Sequence, residues 1–516
     1  MDAPARALIS THDKTGVAEL AAGLVELGWD LIASGGTSRV IEAAGLPVTD
    51  VAGYTGSPTM LGHRVVTLHP RIHGGILADR DDPSHRAELE ANGIEVIDLV
   101  VVNLYPFEAS PGIETIDIGG PTMVRAAAKN HAHVGVLVDP ADYQPVLAEL
   151  RSAGQLSAAT RQRLARKAFA HTQAHDAAIG EWLDGHGHDE APAAEAGLPA
   201  VIGLELERAE VLRYGENPHQ QGARYRPRGA SGFFDGAVQH GGPALSYLNL
   251  MDAEAAWRLA HALGDGPAAV IVKHANPCGA AVAVDLATAY DRAFDCDPRS
   301  AFGGVVAVNA VIDEATADAM VAAAQADLII APGYEDGVIE RLAARRANTR
   351  LLEASQCGSA EPGWELRTLG GSTGDFLVQT PRALEADPGE WQVVTARQPT
   401  GAEMADAVFA WRVCAHVSSN VVVLARDETA WGIGAGQQNR VEAGRLAAAK
   451  AAGRAAGGAC ASDGFYPFAD GIDAAADAGV AVVVQPGGSV NDAKVIAVAD
   501  DRNISMLFTG ERQFRH

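Results

Sequence analysis

Long apolar runs are missing from this 516-residue sequence: none approaches eighteen residues, so no membrane-spanning helix is expected. The N-terminal segment offers only the short patch Ala7 to Ile9, too little for the core of a secretory signal. Cysteine is scarce. The five (Cys278, Cys296, Cys357, Cys414, Cys460) are odd in number, widely spaced and without a C-x-x-C pair. That argues against a disulfide framework and for free thiols in a reducing cytoplasm. Basic charge is short as well, 40 Lys and Arg against 65 Asp and Glu, a formal net charge of −25. Such a surface repels phosphate backbones, which removes nucleic acid from the expected partners. Glycine and proline, 56 and 25 residues, make up about 16% of the chain, below the roughly 25–30% of low-complexity sequence, and with 47% hydrophobic residues disorder is excluded too.

Several chemical signatures are incomplete. His69 to His73 and His171 to His175 have the i, i+4 spacing of a zinc helix, but Pro70 interrupts the first and neither has Glu after its first His. Pro277-Cys278 lacks the second cysteine of P-C-x-x-C, and His188 to Glu190 falls in a linker. Lys14-Thr-Gly16 has no S-x-x-K companion. Gly432-Ile-Gly434-Ala-Gly436 is one residue short of a dinucleotide fingerprint and reads as a close-packed turn. No metal site is expected.

At roughly 150 residues per domain the length predicts two to four packed units. Residues 6 to 183 alternate apolar strands with amphipathic helices: Ala7 to Ser10, a helix from Val17 to Leu27, Asp30 to Ser34, Asp98 to Asn103, Val134 to Val138 and a long helix from about Ala158 to Trp182. The pattern predicts an α/β domain with a parallel sheet covered on both faces. Residues 184–198 lack apolar periodicity and read as the linker, dividing the chain into 1–198 and 199–516. Beyond it two blocks resemble each other. The first has strands at Ala269 to Val272, near Ala280 to Val284, at Val305 to Val308 and from Asp327 to Pro332; the second has strands at Val421 to Leu424, near Trp431 to Gly434 and at Val482 to Pro486. Both end in Pro-Gly, and we read a degenerate duplication.

In the first half, Ser10-Thr-His-Asp-Lys-Thr-Gly16 and Ser34-Gly-Gly-Thr-Ser38 each follow a strand and open a helix. One reading is a tight capped turn; the other is an anion cradle, since backbone N–H groups and helix N-termini meet at that sheet edge. Arg64 and Thr67 could serve the same phosphate, or Arg64 could be a solvated side chain. Asp117 lies twelve residues before Lys129. Lys129, Asn130 and His131 suit a helix end, and a carboxylate with an amine also suits proton handling. In the second half, Leu212 to Gln220 packs a guanidinium, a phenol, an imidazole and two amides around Gly215 and Pro218. That mixture suits either a surface turn or recognition of a planar polar ligand. Lys273 and His274 end a strand, an arrangement suited to acyl transfer with an oxyanion stabiliser beside a base.

These strings, collinear over nearly the whole chain, resemble the bifunctional purine-biosynthesis enzymes that join AICAR formyltransferase to IMP cyclohydrolase: Asp13-Lys-Thr-Gly16, Ala33-Ser-Gly-Gly-Thr37, Thr67-Leu-His-Pro70, Asn103-Leu-Tyr-Pro106, Ile116 to Gly120, Arg125 to His131, Arg213-Tyr-Gly215, Asn217-Pro-His219, Lys273-His274, Ile329 to Gly333, Gly434 to Gln438 and Phe514-Arg-His516. The resemblance implies a methylglyoxal-synthase-like N-terminal domain that cyclises FAICAR to IMP. It also implies a C-terminal domain of two cytidine-deaminase-like units without zinc, moving a formyl group from 10-formyltetrahydrofolate to AICAR. It further implies a homodimer, small-molecule partners only, no catalytic metal, and leaves open a structural monovalent cation.

By the same resemblance Lys273 stabilises the oxyanion, His274 is the base and Asn420 orients the formyl group. Arg213, Tyr214, Gly303, Asp327 and Arg440 correspond to AICAR positions, and Val441, Phe465, Asp470, Ser489 and Arg512 to the folate side. In the N-terminal half Lys129 is the implied proton donor and acceptor with Asp117 beside it. Ser10, Lys14, Ser34, Gly36, Thr37, Arg64, Thr67, Asn103, Tyr105 and Gly119 are the implied nucleotide contacts. Two departures stand out: Val66 where the family often has lysine, and His12 where serine is common. Val66 motivates an alternative, a monofunctional formyltransferase whose N-terminal domain only binds nucleotide.

Overall fold

The protein is described by a computed structural model covering residues 4–62, 64–186, 198, 201–355, 364–371 and 374–516. Two compact units divide at Gly197 and Leu198. Unit 1 runs β1 (Arg6–Ile9), α1 (Val17–Glu26), β2 (Asp30–Ala33), α2 (Gly35–Ala43), β3 (Thr49–Asp50), α3 (Val51–Thr55), α4 (Pro70–Leu77), α5 (Pro83–Ala91), β4 (Leu99–Val101), α6 (Gly119–Lys129), β5 (Gly135–Leu137), α7 (Tyr143–Ala153) and α8 (Ala158–His186). Its sheet has the order β3-β2-β1-β4-β5, with every pair parallel. All residues of β1, β4 and β5 are buried, as strands covered on both faces must be. The order reverses at β1, so the loops after β1, β2 and β4 lie side by side at the carboxyl edge, where open α/β sheets bind ligands. Helix α8 runs four residues past the expected Trp182. The linker reading falls mainly on residues outside the described ones.

Unit 2 opens with a ribbon of β6 (Leu206–Leu212) and β7 (Gly222–Pro227). Then come β8 (Val238–Gly241), α9 (Tyr247–Ala262), β9 (Ala268–Lys273), β10 (Asn276–Val282), α10 (Leu286–Cys296), α11 (Pro298–Ala301), β11 (Val305–Val308), α12 (Glu314–Ala322), β12 (Leu328–Ala331), α13 (Val338–Arg345) and β13 (Arg350–Glu353). A second ribbon, β14 (Glu365–Leu369) with β15 (Asp375–Gln379), leads to β16 (Gln392–Val393), α14 (Gly401–Cys414), β17 (Val422–Arg426), β18 (Thr429–Gly434), α15 (Arg440–Ala451), β19 (Ala459–Ser462), α16 (Asp470–Asp477), β20 (Val482–Gln485), α17 (Asp492–Asp501) and β21 (Ser505–Phe508).

One sheet holds twelve of these strands in the order β16-β21-β20-β19-β17-β18-β10-β9-β11-β12-β13-β8. Read outward from the antiparallel β10–β18 contact, the two halves are the same motif: a hairpin, an antiparallel strand, two parallel strands and an antiparallel edge. The duplication is larger than the sequence blocks, which start too late and stop one strand early. Each repeat begins with an edge strand and a helix (β8–α9, β16–α14) and ends at β13 or β21. Those outer pieces are short or only partly apolar, so their equivalence emerges from pairing alone.

The glycines of Gly432-Ile-Gly434 lie in strand β18, not in a turn. A Cβ at Gly432 would stand 2.0 Å from the carbonyl oxygen of Ala447 on α15, and one at Gly279 on β10 would stand 1.8 Å from that of Ala293 on α10. Each glycine lets its repeat's helix seat directly on the hairpin.

Candidate functional site

In unit 1 the three neighbouring loops are tied together by the residues that the sequence singles out. The Ser10 and Ser34 hydroxyls are 2.7 Å apart, and Thr37 Oγ1 accepts the Thr11 N–H at 3.1 Å while donating to the Thr11 carbonyl at 3.2 Å. Asn103 Oδ1 accepts the N–H groups of His12 at 2.6 Å and Asp13 at 2.9 Å, and its Nδ2 donates to the Asp13 carbonyl at 2.9 Å. Lys14 curls back so that its Nζ donates to the Thr11 carbonyl, and its stem passes Gly36. Burial lowers its pKa, partly offset by Asp13. The Tyr105 ring meets His12 edge-on at 5.2 Å. An ammonium, two hydroxyls and a helix N-terminus thus share one edge, as an anionic ligand requires.

Thr67 is buried against the start of α6, its Oγ1 2.8 Å from where a Cβ on Gly119 would lie. Arg64 turns instead to Glu114, in an exposed ion pair. Val66 packs against the unit's core, which explains its apolar character. Asp117 Oδ1 accepts the Gly120 N–H at 2.9 Å at the start of α6. Burial raises its pKa, against the lowering effects of the Gly120 and Gly119 N–H groups, His175 and His12. Lys129 closes the last turn of the same eleven-residue helix, about 15 Å along the axis at 1.5 Å per residue. Asp117 precedes this helix and Lys129 ends it, so the eleven residues of α6 lie between the two. Asn130, next in sequence, donates to the carbonyls of Ile76 at 2.7 Å and Ala78 at 2.9 Å, a structural use.

In unit 2, β9 ends where β11 begins, because the two are antiparallel with Val272 opposite Val305. Lys273, His274, Gly303 and Asp327 consequently share one sheet edge. Lys273 Nζ donates to the Phe302 carbonyl at 2.8 Å, leaving two of its protons free, and His274 is exposed in a left-handed turn. Asn276, within the quoted Ala275-Asn-Pro-Cys-Gly279 string, reaches Ser418, two residues before Asn420.

Asn420 Oδ1 accepts from Arg440 Nη2 at 2.9 Å, and the same nitrogen reaches Asp463 at 2.7 Å. Arg440 is thus engaged inside the second repeat. Arg213 lies over its neighbour Tyr214 at 4.7 Å, with Nη2 3.0 Å from the phenol oxygen. Arg350, buried at the start of β13 beside Asp327, was not singled out from sequence. Its Nη1 donates to the Asp327 carbonyl at 3.4 Å, and burial lowers its pKa while Asp327 counteracts this. A lone arginine before two leucines carries no sequence signal.

Of the folate-side candidates, Val441 and Asp470 line a cleft of about 540 Å³ between α15 and α16. The Phe465 carbonyl accepts from Arg440 Nη1 at 3.3 Å. Ser489 sits in the loop after β20, which Asn491 ties to Pro467 at 2.9 Å. Arg512 lies over the Phe514 ring at 4.5 Å, and Arg440 is 6.0 Å from the same ring. Among the described residues Asp79, Asp81 and His133 bring three ligand-type atoms within 4.8 Å, but His133 pairs directly with Asp79 at 3.1 Å.

Residues 127–450 match the family model described as the AICARFT/IMPCHase bienzyme. The chain belongs to this family. Residues 16–122 match the MGS-like domain, in keeping with the parallel sheet of unit 1. The crystal structure of a protein named ForH is similar to the chain at 41% identity, covering 35% of this chain and 98% of its own, with a TM-score of 0.33. This is therefore an enzyme of the formyltransferase and cyclohydrolase family of purine biosynthesis, whose members use a folate cosubstrate. No helix among the described residues is long and apolar enough to cross a membrane.

Proposed function

We propose that the chain carries out two consecutive reactions: formyl transfer from 10-formyltetrahydrofolate to AICAR, giving FAICAR, and closure of FAICAR to IMP with loss of water. Residues 199–516 perform the first and residues 1–198 the second. The observation that carries the reading is the Lys273–His274 turn at the end of β9, on one edge with Gly303 and Asp327.

In the transfer the 5-amine of AICAR attacks the formyl carbon. The C–N bond forms, the oxyanion develops beside the Lys273 ammonium, and His274 takes the amine proton. Collapse breaks the bond to the folate nitrogen, which leaves with that proton. Asn420 orients the formyl oxygen. Arg213, Tyr214, Gly303, Asp327 and Arg440 hold the ribotide, and Val441, Phe465, Asp470, Ser489 and Arg512 the folate. Arg350, beside Asp327, joins the ribotide group. In the closure the carboxamide nitrogen attacks the formyl carbon of the same molecule. The loops around Ser10, Lys14, Ser34, Gly36, Thr37 and Asn103 grip the phosphate and ribose, with Arg64, Thr67, Tyr105 and Gly119 nearby, and Lys129 and Asp117 move protons from different ends of α6. A homodimer in the cytoplasm is the expected working form.

The alternative of a binding-only N-terminal domain draws support from the gap between Asp117 and Lys129. One assay separates the readings: the full chain receives AICAR and 10-formyltetrahydrofolate, and products are resolved by chromatography. IMP supports both activities, FAICAR alone supports the alternative, and neither product refutes the proposal.

A further inference from the structure

The two repeats of unit 2 reverse their hairpins in the same unusual way. Between β9 and β10 the turn residues His274 and Ala275 have φ of 56° and 60°; between β17 and β18 Asp427 and Glu428 have φ of 52° and 50°. Two successive left-handed residues make the tight hairpin turn that normally recruits Asn and Gly. Neither turn has a glycine, so something outside the turn must hold it.

That support comes from the helix preceding each hairpin. Asp252 is the sixth residue of α9 and Asp406 the sixth of α14. Asp252 Oδ2 accepts the N–H of His274 at 3.2 Å and Oδ1 that of Ala275 at 2.7 Å. Asp406 Oδ1 accepts the N–H of Glu428 at 2.9 Å. The clamp is present in both repeats, but only the first presents Lys-His at the turn; the second presents Arg426, Asp427 and Glu428. We infer that Asp252 is a positioning residue for formyl transfer, its carboxylate on α9 fixing the backbone of His274 and Ala275 and so the aim of the Lys273 and His274 side chains. This rests on the function proposed above.

Two further ties bear on the same turn. Lys273 is anchored to the Phe302 carbonyl at 2.8 Å. Asn276 links the His274 carbonyl, at 3.3 Å, to the Ser418 N–H, at 2.9 Å, in the second repeat. His274 is exposed, so water can replace the carboxylate on the turn's N–H groups if Asp252 is changed. The fold then survives while the aim is lost, and a displacement of about 1 Å at a reacting group costs on the order of 100-fold in rate.

Asp406 supplies the control, since its clamp holds a turn without a base. The test uses full-length Asp252→Asn and Asp406→Asn. An asparagine offers one acceptor oxygen and turns an NH2 toward the second N–H, so the bidentate clamp is broken. Measured are kcat and KM for formyl transfer with AICAR and 10-formyltetrahydrofolate, the rate of IMP formation from FAICAR, the melting temperature, and amide exchange at His274 and Ala275. For Asp252→Asn we expect a kcat loss of about 100-fold, a KM for AICAR within about threefold, faster exchange at both turn amides and unchanged IMP formation. For Asp406→Asn we expect kcat within about threefold of the unmodified chain, whatever its melting temperature. Asp252→Glu keeps the carboxylate on a longer stem, so its kcat should fall about threefold to tenfold, between those of the unmodified chain and Asp252→Asn, with KM retained.

Normal kcat in Asp252→Asn, or losses in both variants that track their melting temperatures alike, overturns the inference. If Asp252→Asn does not fold, Asp252→Glu decides alone: a lowered kcat with KM retained supports the clamp, and unchanged kcat overturns it. No transfer by the unmodified chain overturns the proposed function itself and the clamp's role with it.

Discussion

Asp117 and Lys129 stand at opposite ends of helix α6, the first capping the Gly120 N–H at 2.9 Å and the second closing the final turn. The helix between them is about 15 Å long, so within one chain the two act from its opposite ends. The groups that the structure does bring toward Asp117 are His12, from the loop after β1, and His175, buried on α8 with its Nε2 unpartnered.

Independent action by Asp117 and Lys129 should be visible in kinetics. Asp117→Asn keeps an oxygen for the Gly120 N–H but loses the titrating group, and should slow IMP formation from FAICAR by about 100-fold or more. Lys129→Ala should slow it separately. Because the two residues are far apart, the double variant should show the product of the single losses. A double variant no worse than either single one would mean that the two act as one unit and would overturn independent action.

Changing His274 to alanine should remove formyl transfer, a fall of about 1,000-fold, through loss of the base. IMP formation from supplied FAICAR should continue at the rate of the unmodified chain. Parallel assays on one protein preparation test this, and loss of both activities would contradict the assignment of the reactions to different units.

Alanine at Gly279 or Gly432 should cost more than about 3 kcal/mol each. The added methyl would lie 1.8 Å or 2.0 Å from a helix carbonyl oxygen, of Ala293 or Ala447, so helix or strand must shift. Urea unfolding of unit 2 measures the loss, and a change under about 1 kcal/mol would show that the helices move easily.

His416 makes the stability of unit 2 depend on acid. Burial, with only partial relief from the hydrogen bond to the Arg412 carbonyl, pushes its pKa down from 6.5 to about 4. The folded state therefore favours the neutral ring. As pH falls below 6.5 the unfolded chain takes up a proton that the folded chain resists, and stability declines until about pH 4. The contribution lost over that window is up to about 3 kcal/mol. Denaturant midpoints at pH 7 and pH 5 should differ more for the unmodified chain than for His416→Gln, which cannot titrate.

Read alone, the order of residues carries the α/β class, the loops at Ser10 and Ser34 that open helices after strands, the Lys273–His274 pair and the presence of a duplication. Each of these is written in adjacent residues, where apolar periodicity, glycine and cap chemistry act locally. The tertiary structure alone decided what distant residues do to one another. It ties Asn103 to the loop of His12 and Asp13, places Arg350 beside Asp327, sets Asp252 beneath the His274 turn as Asp406 lies beneath Glu428, and holds Asp117 apart from Lys129. The physical reason is that a short polar side chain carries no periodic signal. Its partner is chosen by strand order and helix length, and those are set by the burial of apolar surface over the whole unit.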